Sequence, residues 1–222
     1  MGLNNENSPS GAGRWMAVDI ETVPMVGLEA YLTEPIEPPS NYKDPEKIAA
    51  YIAQKRQEQI DRAGLDLDLC EVVCIAGQFA DRGWVQTRET ASEAELISGL
   101  WRFVATLQRE GADLVGFNLL GFDLLVLLRR SLYLGIVPPP IRVDRYRHEG
   151  VVDVLDVLSF GRRELMRSLS FYCKRFGIAH DDTITGKDIA PLVAAGEWAK
   201  VAAHCADDAR ATAELAVRIG AV

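Results

Sequence analysis

The run Trp15-Met16-Ala17-Val18-Asp19-Ile20 is apolar on both faces of a strand until Asp19 interrupts it. A strand of that kind has to be covered above and below, which calls for a sheet with helices on both faces. Further runs supply the partners. Glu71–Phe79 predicts a second strand, and Asp81-Arg82-Gly83 a hairpin turn into a third at Trp84–Thr87. Ser92 is the expected cap of an amphipathic helix with its apolar stripe at Leu96, Ile97, Leu100, Phe103, Val104 and Leu107. A fourth strand is expected over Asp113–Phe117, an apolar helix over Phe122–Leu134, and a fifth strand over Val151–Leu158. Helices near Ser168–Phe176 and Ile189–Ala195 and a long final helix from Glu197 complete the chain. The order is βββαβαβα, so the expected fold is α/β: a mixed five-stranded sheet between helices.

A chain of 222 residues with 48% hydrophobic residues can bury one substantial core. Residues 1–13 are polar and glycine-rich and are expected to be a disordered leader with neither the basic nor the apolar region of a signal peptide. Residues 14–222 are expected to form a single domain. Val23-Pro24 turns the chain out of the first strand into a proline-rich excursion ending in a helix with Asp44 as N-cap and Pro45 at its first position, stopped by Gly64. Residues 24–68 are too few for a core of their own and are expected to be an insertion. Pro138-Pro139-Pro140 breaks the chain, and the charged stretch from there to Gly150 is expected to be mobile.

No apolar run is long enough to span a membrane. Cys70, Cys74, Cys173 and Cys205 form no C-x-x-C pair and lie in apolar stretches, which points to free buried thiols in a reducing cytoplasm rather than a zinc site. The net charge is −8, unlike a protein that holds nucleic acid by bulk charge. Residues 129–175, however, hold ten Lys/Arg against five Asp/Glu, a net +5, which leaves −13 for the rest. Solvated helix faces and a phosphate-contacting surface both remain open as readings of that segment.

Four acids stand out: Asp19 and Glu21, Asp123 and Asp208. Asp19 and Glu21 alternate onto one strand face, where two ionised carboxylates repel each other unless a cation compensates. Alone, the pair also fits a solvated strand terminus. Asp123 falls in the first turn of its helix, where an acid ordinarily offsets the helix dipole. Asn118 ends the preceding strand, the edge where α/β sheets place ligands, and Phe122 is an aromatic that can stack on a base or pack inward. In the last helix an apolar stripe through Trp198, Ala202, Cys205, Ala209, Ala216 and Ile219 leaves Asp207 on the opposite, charged face with Lys200, Arg210, Glu214 and Arg218. Asp208 falls at the core boundary beside Val201 and Leu215, with His204 one turn earlier on the same flank.

These blocks resemble the three motifs of the DEDD superfamily of 3′–5′ exonucleases, and most closely the stand-alone proteins related to the exonuclease domain of family B DNA polymerases. Val18-Asp19-Ile20-Glu21-Thr22 is similar to the first motif, Asn118 with Phe122-Asp123 to the second, and His204-Cys205-Ala206-Asp207-Asp208 to the third. The resemblance extends over most of the chain after Arg14. It implies a ribonuclease H-like fold and removal of nucleotides from a 3′ end of nucleic acid, with single-stranded DNA expected ahead of RNA. It also implies two divalent ions, Mg²⁺ or Mn²⁺, on Asp19, Glu21, Asp123 and Asp208. Thr22, Asn118 and Phe122 are the implied substrate contacts. The third motif usually offers Tyr-x3-Asp or His-x4-Asp. Here His204 stands in the tyrosine place at tyrosine spacing, which would tie activity more closely to pH. The rival readings are a non-catalytic ribonuclease H-like binding module and an endonuclease on the same fold.

Overall fold

The computed structural model describes residues 15–79, 81–141 and 149–222. The expected leader and most of the charged stretch before Gly150, with Arg142, Arg145 and Arg147, lie outside these residues. The elements are β1 (Trp15–Pro24), α1 (Pro45–Arg62), β2 (Cys70–Gln78), β3 (Gly83–Thr87), α2 (Glu93–Arg109), β4 (Asp113–Gly116), α3 (Asp123–Leu134), β5 (Val151–Asp153), α4 (Val154–Ser159), α5 (Leu169–Phe176), α6 (Gly186–Ala194) and α7 (Trp198–Arg218). Asp44 caps α1 by accepting from the Glu46 N–H, with Pro45 behind it, and Ser92 with Glu95 forms a capping box on α2.

The five strands form one mixed sheet in the order β3-β2-β1-β4-β5, antiparallel from β3 to β1 and parallel from β1 to β5. Alternation along β1 divides the core. Met16, Val18 and Ile20 pack with α2 and α3 on one face. Ala17 packs with α4, α5 and the second half of α7 on the other, where the first half of α7 also meets β2 through Val201, Cys205 and Ala209. Helices therefore cover both faces, as a β1 apolar on both sides demands. The β1–β2 register shifts between Glu21 and Thr22, which face Cys74 and Val72. Val73 is the extra residue of this bulge, and Val73 and Cys74 both join the α7 side of the core. The last residues of the acidic strand end are thereby re-aimed against β2.

Three expectations are corrected. The fifth strand stops at Asp153 rather than Leu158, because the Asp153 carboxylate accepts the Leu155 and Asp156 N–H groups and turns the run into α4. A short apolar run carries no period that separates strand from helix. Phe103 is 45% exposed instead of lying in the core stripe, and it stacks on Trp84 of the edge strand β3 with ring centroids 5.3 Å apart. In α7 the buried stripe is rotated toward Val201 and Leu215, both fully buried, while Trp198 and Ala202 are only half-buried. That rotation carries Asp208, one heptad from each of Val201 and Leu215, toward the sheet.

Candidate active site

Asp19 and Glu21 project from β1 onto the α7 side of the sheet. The Cys205 thiol reaches the Asp19 carbonyl oxygen at 3.5 Å, and the two carboxylates and Cys205 Sγ offer atoms within 4.8 Å of one another. Asp123 opens α3 across the sheet edge, and its Oδ1 accepts the Ile20 N–H at 3.3 Å. Asp208 comes from α7. His204, one turn earlier, sits with Nε2 3.4 Å from Glu21 Oε1 and Nδ1 3.7 Å from Asp208 Oδ1. Three elements thus deliver four acids and a histidine to one place.

The electrostatics record how close these acids lie. Burial pushes Asp19 well above the usual carboxylate range, and Glu21, Asp123 and Asp208 push it further. Burial raises Glu21 in the same way, followed by Asp208. Asp123 is pushed up to about 8, chiefly by burial, against the opposing effect of its hydrogen bonds to backbone N–H groups. Among the described residues no lysine or arginine pairs with any of the four; the imidazoles of His204 and His180 are the side chains beside Glu21 and Asp208. Acids crowded together with no lysine or arginine among the described residues beside them suit divalent cations, whose charge would restore the ionised forms. Burial also pushes the Cys205 thiol up, so it remains a thiol, and the donor set is one of carboxylate oxygens, the kind that magnesium and manganese prefer.

The expected substrate contacts are arranged unevenly. Thr22 is buried, and its hydroxyl donates to the Gly64 carbonyl beyond α1. Asn118 adopts a left-handed φ of 60°, with its side chain over Gly121, where a Cβ would come 2.2 Å from Asn118 Oδ1. A side chain at position 121 would force the Asn118 amide to move. Phe122 is half-buried against the core beside α3. Asp207, expected on the solvated face, pairs with Arg210 and also accepts the Asp181 N–H.

Two residues of the site had no sequence signal. Asp153 accepts the Asn118 and Leu120 N–H groups at 3.0 and 2.9 Å, which pins the loop that carries Asn118 and Asp123. His180, in the connection between α5 and α6, places Nε2 2.9 Å from Asp208 Oδ1. Its setting, Gly-Ile-Ala-His, matches no ligand spacing.

No curated protein matches the chain. Among solved structures, the family B DNA polymerase from the hyperthermophilic archaeon Pyrobaculum calidifontis is similar over 94% of this chain at a TM-score of 0.60 and 22% identity. The match covers 25% of the polymerase chain, so this chain corresponds to one quarter of that protein. At that identity the likeness shows the fold, the ribonuclease H-like architecture expected from the sequence. The family model for predicted 3′–5′ exonucleases related to the exonuclease domain of PolB matches residues 65–220, from the residues before β2 to the end of α7, and the chain belongs to that family.

Proposed function

We propose that this protein is a divalent-metal-dependent 3′–5′ exonuclease that acts on single-stranded nucleic acid, DNA ahead of RNA, by a two-metal-ion mechanism. The observation that carries the reading is the convergence of Asp19, Glu21, Asp123 and Asp208 without a described lysine or arginine among them. Those four carboxylates would hold the ions, Mg²⁺ or Mn²⁺. When bound, such a pair supplies an activated water and stabilisation of the leaving 3′ oxygen. His204, within reach of both Glu21 and Asp208, orients the attacking water. Thr22, Asn118 and Phe122 are the proposed contacts to the substrate. Residues 14–222 act as one domain, with 24–68 an insertion in it. The four free, buried cysteines fit a reducing compartment, and we assign the protein to the cytoplasm. Among the described residues no helix is long and apolar enough to cross a membrane.

The test is digestion of a 5′-labelled single-stranded oligonucleotide with Mn²⁺. The wild type is expected to shorten it from the 3′ end, and Asp123→Ala to be slower by roughly 100-fold or more, as loss of several kcal/mol of transition-state stabilisation requires. A circular single strand should remain intact. Undiminished activity in Asp123→Ala overturns the assignment of the site, cutting of the circle makes the enzyme an endonuclease, and a wild type inert in every arm makes it a binding module. RNA in parallel tests the preference for DNA.

A further inference from the structure

Asp208 is flanked by two of the chain's three histidines. His180 is the nearer, 2.9 Å from Oδ1 against 3.7 Å for His204, and its side chain is 6% exposed. It is held firmly. The connection between α5 and α6 is bound to α7 at three successive residues: the Ala179 carbonyl accepts from Arg210, His180 meets Asp208, and the Asp181 N–H donates to Asp207 Oδ2 at 2.9 Å. Asp207 and Arg210 are themselves paired, Oδ1 accepting from Nε at 3.1 Å and Nη2 at 2.6 Å. One turn of α7 therefore grips the backbone on both sides of His180 and points the imidazole at the acid.

We propose that His180 is a positioning residue for Asp208: Nε2–H donates to Oδ1, sets the rotation of the carboxylate, and leaves Oδ2 as the oxygen offered to a cation. As a ligand of a cation the Asp208 carboxylate can only accept, so the bond calls for the Nε2–H tautomer of His180. A carboxylate held by an outer partner meets the cation already oriented, whereas a free one must lose rotational freedom on binding. His180, Asp207 and Asp208 also offer atoms within 4.8 Å of one another. A separate cation there would compete with the Arg210 guanidinium and the Asp181 N–H, which already engage both oxygens of Asp207, so the geometry favours positioning over a further metal site. The inference rests on Asp208 being a ligand of the proposed exonuclease site.

The experiment follows the melting temperature of the full-length protein as Mn²⁺ is titrated, beside kcat and KM on the labelled single strand. His180→Leu keeps most of the apolar volume and removes the donor; if it does not fold, His180→Asn, whose amide is too short to reach Asp208, takes its place. The expected result is a 10- to 100-fold higher Mn²⁺ midpoint, the range of outer-partner losses, with kcat lowered and KM for the strand little changed. His180→Gln, which keeps a donor at similar reach, should restore most of the midpoint. A purely structural role would lower the metal-free melting temperature and leave the midpoint in place, and that outcome overturns the proposal. So does a Gln variant as weak as the Leu variant, which would make His180 a direct ligand. If the wild type binds Mn²⁺ and cuts while His180→Leu matches it, only this inference fails. A wild type that neither binds nor cuts removes the exonuclease reading and this inference with it.

Discussion

Asp123 is held between opposing influences. Its own N–H and that of Ile20 favour the ionised carboxylate, yet burial outweighs them and pushes the group up to about 8, with Asp153 and Asp208 adding to the rise. Asp19 and Glu21 are displaced in the same direction, burial first. In the unfolded chain all three titrate at about 4. Between that value and the folded-state values, the folded metal-free protein binds more protons than the unfolded chain, so its stability falls as pH rises through the window. In EDTA the melting temperature is expected to decline from about pH 5 to about pH 8. Mn²⁺ should remove most of that decline by compensating the ionised carboxylates. Calorimetry across the range, with and without Mn²⁺, checks the sign: a metal-free protein that grows more stable toward pH 8 would contradict this account of the cluster.

At the scale of elements, the junction from β5 to α4 governs the loop before α3. Asp153 caps α4 through the Leu155 and Asp156 N–H groups and accepts the Asn118 and Leu120 N–H groups as well. One buried carboxylate therefore ends a strand, starts a helix and holds the turn from which Asp123 projects. Asp153→Ala removes the cap and leaves loop N–H groups without their acceptor, which should cost about 2–4 kcal/mol of stability. Urea unfolding measures that loss. Asp153→Asn keeps one acceptor oxygen and should lose less. If the alanine variant unfolds at the wild-type midpoint, the loop is held by something else.

Across the whole molecule, a buried ion pair ties α2 to α3 and, through one backbone N–H, both to the sheet. Glu93, in the first turn of α2, accepts from Arg130 of α3 through both oxygens at 2.8 Å and from the Val72 N–H of β2 at 2.8 Å. Both side chains are buried. Glu93→Ala strands a buried guanidinium and a strand N–H, and should destabilise the protein by about 3–5 kcal/mol, measured by denaturant melts. Replacing both residues with apolar ones of similar volume should recover much of the loss, since burying the charges also carried a desolvation cost. The same pair bears on the basic segment. Arg130 is spent inside the core, Arg129 pairs with Asp68, and Arg162 pairs with Glu164. Part of the net +5 of residues 129–175 is therefore offset by Asp68 and Glu93 from outside the segment, while Arg163, Arg167, Lys174 and Arg175 remain exposed around α5.

Much of this was legible in the sequence because it is local. Period-two alternation put Asp19 and Glu21 on one strand face, Asp44-Pro45 and Ser92 marked their helix starts, and the runs between them set the order of strands and helices. Local pattern failed where a short run fits two states, as in Val151–Leu158, or where an aromatic packs across an edge, as Phe103 does on Trp84. It also says nothing of partners far apart in the chain. Ile20 and Asp123 are 103 residues apart, Asn118 and Asp153 are 35 apart, and His180 and Asp208 are 28 apart. Such contacts leave no periodicity behind, because they depend on how helices settle against the sheet. Strand and helix periodicity were enough to say which acids can share a face. Only the packing of α7 against β1 and β2, and the grip of that helix on the chain around His180, decided how those acids meet and which histidines attend them.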